Sequence, residues 1–154
     1  MSEETAENNG ATFSLERVYL KDVSFEAPSS PHAFLDQEAP KITINMNIAH
    51  GALNEDDGVY EVLLGISAEA KRGEKTVFLV EVHQGGVFVI QDVEESSLAS
   101  ALEIDCPNIL LPFAREAIND FVSKGGFPQL LINPVNFEAL YLQKQEGEKN
   151  TASS

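Results

Sequence analysis

From Thr12 to Glu26 the odd positions run Phe13, Leu15, Arg17, Tyr19, Lys21, Val23 and Phe25, against Ser14, Glu16, Asp22, Ser24 and Glu26 on the even ones. Period two of this kind predicts a strand whose apolar side is mainly the odd one. KITINMNI (Lys41 to Ile48) alternates without error, with Ile42, Ile44, Met46 and Ile48 on one side and Lys41, Thr43, Asn45 and Asn47 on the other. Val59 to Arg72 puts Tyr60, Val62, Leu64, Ile66, Ala68 and Ala70 on its even side. RGE turns it into KTVFLVEVHQ, so the two runs predict a hairpin. Gly85-Gly86, inside an otherwise continuous β pattern, predicts a bulge or sharp bend before VFVI.

The spacing changes near Glu94. Leu98, Ala101 and Leu102 make a short helical stripe, and Ile109, Leu110, Phe113, Ala114, Ala117, Ile118, Phe121 and Val122 make a longer one. Asn108 is the expected N-cap of the long helix, Pro112 falls in its first turns and Gly125-Gly126 ends it. Asn136 is placed to cap a last helix, NFEALYLQKQ. The proline-rich stretch APSSPHAFLDQEAP (27–40) reads as a long crossing loop. Strands first and helices afterwards predict an α+β fold on a four-stranded antiparallel sheet with a long helix and shorter helices. The expected organisation is a polar acidic tail over 1–11, one domain over 12–145 and a polar tail over 146–154.

Charge sharpens this picture. The 154 residues carry 10 Lys+Arg against 25 Asp+Glu, a formal −15, which repels nucleic acid and anionic membrane and favours basic partners. The N-terminal segment has no basic, apolar signal pattern and no run approaches a membrane span, so a soluble, unexported, cytoplasmic protein is expected. A single cysteine, Cys106, forms no internal disulfide and reads as a structural thiol.

Reactive chemistry is scarce. His32, His50 and His83 lie on separate elements, and no HExxH, CxxC, GxGxxG, GxSxG or GKS is present. The acidic turn NEDDG (54–58) lacks the spacing of a calcium loop and reads as a solvated turn. Neither a metal nor another cofactor is expected, and no catalytic residue is assigned.

CPNILLPFARE (106–116) followed by GGFPQLLINPVNFEALY (125–141) closely resembles the signature of the SecB family of bacterial protein-export chaperones. KDVSFEAPSSPHAF (21–34), VYEVLL and FLVEVHQGGVFVI (78–90) match it in the same order. The resemblance implies a homotetramer, a dimer of dimers. It implies a non-enzymatic, ATP-independent function: holding unfolded secretory precursors in apolar grooves and delivering them to SecA, the translocation motor.

Carried over by position, it assigns the SecA contact to Asp22, Glu26, Leu79 and Glu81, and subunit assembly to Val80, Val82 and Gln84. The client groove falls on Phe34, Ile42, Ile44, Met46, Phe137, Leu140 and Tyr141. Two alternatives compete: a SecB-like chaperone of a toxin-antitoxin system, and an α+β enzyme with an unrecognised carboxylate site.

Overall fold

The computed structural model describes residues 10–153, with side chains to residue 147; the segment 1–9 of the expected N-terminal tail lies outside the described residues. Strands β1 (Thr12–Glu26), β2 (Lys41–Asn54), β3 (Val59–Arg72) and β4 (Lys75–Gln91) are followed by α1 (Glu95–Ser100), a π-helical turn (Ala101–Asp105), α2 (Cys106–Lys124) and α3 (Phe137–Ser153). The four strands form one antiparallel sheet in the order β1-β4-β3-β2. β1 and β2 are therefore its two edges.

One sheet face, here the inner one, carries the core. Ala70, Ala68 and Ile66 of β3 pair with Phe78, Val80 and Val82 of β4, and these six are buried together with Val62, Leu64 and Phe88 on the same face. Over them lies the stripe of α2, with Leu110, Ala114, Ala117, Ile118 and Val122 buried. The alternation of β3 and β4 is thus the burial pattern of a sheet covered on one side, whereas β2, at the edge, is exposed except at the half-buried Met46 and Ile48.

β1 departs from its predicted alternation. Its pairing with β4 skips a residue between Leu15 and Arg17 and again between Leu20 and Asp22, so Glu16 and Lys21 are bulge residues. Each extra residue reverses which side chains face the core. Phe13 and Leu15 sit opposite Ile90 and Phe88, Val18 and Leu20 opposite Gly86 and Gln84, and Val23 and Phe25 opposite Val82 and Val80. Between the bulges the core face is consequently even, and Arg17 and Tyr19 fall on the outer face with Asp22, Ser24 and Glu26.

The two glycines of β4 hold no bulge; β4 pairs through them with β3 without a shift. They make room instead. A Cβ at Gly85 would run into the Tyr19 ring on the outer face, and one at Gly86 would meet the Phe88 ring at 2.7 Å and Leu110 at 2.9 Å on the inner face.

The helical region is more continuous than the stripes predict. The π turn joins α1 directly to α2, so Asp105 is already helical and Asn108 lies inside the first turn rather than capping it. Pro112 sits further in, on the exposed side. Gly126, at φ +87°, ends the helix in the left-handed conformation that glycine takes at least cost. Asn136 does cap α3, its Oδ1 accepting the Ala139 N–H at 3.0 Å. α3 runs on through Ser153, past residue 146 where a tail is expected from composition.

The 27–40 loop is fastened at the β3–β4 end of the sheet and contains a short 3-10 turn, His32–Leu35. Arg72 donates from Nη1 to the Ala33 carbonyl at 2.8 Å and from Nε to that of Glu38 at 2.6 Å, while Ser29 Oγ donates to the Thr76 carbonyl at 2.7 Å. A string of rings, Phe25–Phe78–Phe127–Phe34, with centroids 6.2, 5.1 and 5.4 Å apart, ties loop and sheet to the segment after α2.

Candidate functional site

Two surfaces stand out, and they lie on opposite sides of the sheet. On the outer face, register sets Glu26 opposite Leu79, Ser24 opposite Glu81 and Asp22 opposite His83. Asp22, Glu26, Leu79 and Glu81 are therefore gathered on one exposed surface, two from the edge strand and two from its neighbour. Glu69 of β3 lies opposite Leu79 on the same face, an acidic neighbour absent from the sequence assignment. His83 Nε2 approaches Glu81 Oε2 at 3.3 Å. Leu79, 36% exposed, is an apolar side chain ringed by carboxylates.

Further along this face the Tyr19 hydroxyl donates to Glu61 Oε2, and Lys21 Nζ lies 3.0–3.1 Å from both Glu61 oxygens. The Tyr19 hydroxyl, the nearest cause, and then Lys21 hold the Glu61 carboxyl below its ordinary pKa. Burial, followed by the bond to Glu61, pushes Tyr19 up to about 12. Both bulges of β1 serve this cluster. The first turns Tyr19 outward, and the second supplies Lys21.

The second surface is a cavity of about 200 Å3 where the inner face of β2 meets α3, lined by Met46, Asn47, Ile48, Phe137, Leu140, Tyr141, Glu103 and Lys144. Four of the groove residues assigned from sequence come together here: Met46, Phe137, Leu140 and Tyr141. Phe137 is 1% exposed and forms the floor, while Leu140 stands half open at the rim. Ile42 and Ile44, each 37% exposed, continue the β2 row away from the cavity. Phe34 is outside it, half exposed over Phe127 at the end of the ring string.

Val80, Val82 and Gln84 lie under α2, Val80 and Val82 fully buried within the single subunit. Gln84 is satisfied there, its Nε2 donating to the Tyr19 carbonyl at 2.9 Å. The outer side of α2 carries the half-exposed Phe113. Cys106 is also buried, and burial, then Asp105, raises its thiol to about 12, so it stays protonated near neutrality.

Sequence reasoning missed Asn47, Ile48, Glu103 and Lys144. Ile48 had a signal, its place in the even row of β2. Glu103 had none, because its partners are 41 and 53 positions away in the chain.

Among the described residues no helix is long and apolar enough to cross a membrane. The family model described as "Preprotein translocase subunit SecB" matches residues 6–148. A curated relative from Nitrosococcus oceani, named Protein-export protein SecB, is 45% identical over 94% of this chain and 88% of its own. Relatives of the same name from Dechloromonas aromatica and Methylobacillus flagellatus are 47% and 46% identical, covering 90% and 97% of this chain and 90% and 96% of theirs. The fold is also that of a SecB-like chaperone of Mycobacterium tuberculosis, solved in complex with a ChAD peptide from an antitoxin. That match has a TM-score of 0.64 and 12% identity, over 80% of this chain and 90% of the other. A family model covering nearly the whole chain, relatives at this identity and the shared sheet-and-helix fold agree: the chain belongs to the SecB family.

Proposed function

We infer that the chain is a protein-export chaperone, and propose that it holds unfolded precursor segments in the groove between β2 and α3 while the outer face docks SecA. In this reading the protein acts in the cytoplasm as a homotetramer, a dimer of dimers, without nucleotide or cofactor. The observation that carries it is the half-open, mainly apolar cavity between β2 and α3, beyond which the same row of β2 goes on through the exposed Ile44 and Ile42. An enzyme encloses its substrate; a holdase needs an open channel that accepts many sequences.

Burying about 100 Å2 of client side chain gains roughly 2.5 kcal/mol, before the cost of ordering the chain is subtracted. One contact is therefore weak, and several along one client bind through their effective concentration. Segments that fold quickly escape such a site, and slow ones stay. The acidic outer face fits a basic docking element on SecA, and the excess of carboxylates keeps protomers with open apolar surfaces apart. The naming of the curated relatives favours export over a toxin-antitoxin role.

The test is light scattering from a secretory precursor diluted out of denaturant, with the chaperone and without nucleotide. Suppression of aggregation near stoichiometric concentration is expected. Suppression that appears only with ATP would overturn the mechanism.

A further inference from the structure

The outer face carries a group that the docking assignment leaves unused. His83 stands on it between its register partners, Asp22 of β1 and Gly65 of β3, two residues along β4 from Glu81. Gly65 gives the imidazole room to lean over β3: a Cβ there would collide with Asn47 Oδ1 and come within 3.3 Å of His83 Nδ1. From that seat the other ring nitrogen, Nε2, lies 3.3 Å from Glu81 Oε2. The His83 side chain is 31% exposed and that of Glu81 52%, so protons and partners both reach the pair.

The charges facing the ring are mostly of one sign. β4 brings Glu81 and β1 brings Asp22, while β3 brings Glu69 on the far side of Glu81, with Lys71 Nζ 4.0 Å from its carboxylate. β2 contributes the amides of Asn45 and Asn47. Toward the first bulge, Tyr19 and Lys21 are both engaged by Glu61. Histidine is the side chain whose charge turns on and off between about pH 5 and 8, a range in which carboxylates and lysines ordinarily keep theirs.

We propose that His83 sets the strength of the docking face through pH: protonated, it occupies Glu81 as an internal counter-cation, and neutral, it leaves that carboxylate free for a cationic group of SecA. The inference deepens the reading of this surface as the SecA contact and rests on it. The positions of the charges stay fixed, and protonation changes how many are uncompensated. A docked cationic element favours the neutral imidazole, so binding releases a proton from His83 and affinity rises with pH. The client groove lies on the other side of the sheet and does not take part.

The experiment is calorimetry of SecA binding at low salt, at about pH 6, 7 and 8, with the full-length parent, His83→Gln and Glu81→Lys. Glutamine keeps a polar group beside Glu81 and removes the titrating charge. Its profile carries whatever titrates on SecA itself, so the difference from the parent isolates His83. Between about pH 6 and 8 the parent should gain about three-fold more affinity than His83→Gln does, and the gap should narrow with added salt. The parent should also release more protons on binding, read from buffers of different ionisation enthalpy. Holding of an unfolded precursor, followed by light scattering, should match between parent and His83→Gln at each pH.

Parallel pH profiles and equal proton release in parent and His83→Gln, with Glu81→Lys still weakening SecA, would overturn the proposal and leave the docking face in place. If Glu81→Lys binds SecA as the parent does at every pH, the docking reading fails and this inference with it. Loss of precursor holding in His83→Gln would make the histidine structural, which overturns the proposal as well.

Discussion

The two sides of the sheet handle exposure in opposite ways. The outer face around Leu79 is flat, built wholly from strands and dominated by carboxylates, so whatever docks there meets a rigid, preset pattern of charge. The groove on the inner side has one rigid wall, β2, and one wall, α3, joined to the body by Phe137 and a loose polar contact. Rigid charge suits one partner of fixed shape. An open, mainly apolar channel suits many partners of none. The difference teaches that a single sheet can separate selectivity from promiscuity by assigning them to opposite faces, because successive side chains of a strand point to opposite sides.

The comparison breaks most completely if the shared core fails. Val82→Arg would bury an unpaired charge between Val23 and Ile66 of the neighbouring strands, at a cost of about 3–5 kcal/mol. Urea unfolding should show that loss in the subunit itself, with both surfaces lost together. Dissociation of a still-stable subunit would instead place Val82 at an interface.

Gly85→Ala acts on the outer side alone. The new methyl displaces the Tyr19 ring from its seat, costing about 1–3 kcal/mol. Thermal unfolding should register it, and the combined variant with Tyr19→Ala should recover part of the loss.

Glu81→Lys separates the faces. A reversed charge in the docking surface should weaken SecA about ten-fold at low salt, and less with added salt, while holding of an unfolded precursor stays near the parent level. Calorimetry and light scattering decide it, and undiminished SecA binding would remove the acidic face from that role. Leu140→Asp is its mirror. At the half-exposed rim it should weaken precursor holding by about three- to five-fold and leave SecA affinity unchanged.

The smallest effect is expected from pH. Glu61 has a lowered carboxyl pKa in the fold, so its stabilisation is complete above the ordinary value of 4.5 and is lost as pH falls through the lowered one. Tyr19 is raised from 10.0 to about 12, so its share is complete below pH 10 and fades as pH climbs toward 12. Melting temperature against pH, compared with Tyr19→Phe, should converge at both extremes; the bond is worth about 1 kcal/mol.

How much of this was legible follows from where the determining contacts lie. β3 and β4 could be read from alternation because one cover, on one side, buries alternate residues; β2 carries the same alternation although only Met46 and Ile48 of it are half-buried. The outer acidic group was legible for the same reason, since Asp22 and Glu26 fall after the second bulge and share a parity. The span of β1 was legible too, but its facing between the bulges was not, because a bulge shows itself only in the partner strand's register. Gly85 and Gly86 advertised something unusual, but a glycine in a strand marks either a bend or a close neighbour, and only the fold brings Tyr19 and Leu110 to those positions. The helical stripes gave α2 its buried face, whereas the π turn, which needs no cap, concealed its start. Glu103 ended a stripe as one more polar residue, and its role depends on a helix that arrives some forty residues later.

The paired bulges of β1 carry one more consequence, for how this strand tolerates insertion and deletion. Glu16 and Lys21 behave as two compensating frameshifts: the first inverts the inside-outside reading of the strand, and the second restores it. Deleting either residue closes its bulge, and because the residues on each side already pair with consecutive positions of β4, Asp22, Glu26, Phe13 and Leu15 all keep the sides they hold. Deleting both would leave one regularly alternating strand, with Val18 and Leu20 still against the core and Arg17 and Tyr19 still outside. Loss of Glu16 or Lys21, singly or together, should therefore spare the inside-outside order of the strand, and the damage of removing Lys21 is confined to the cation it supplies to Glu61.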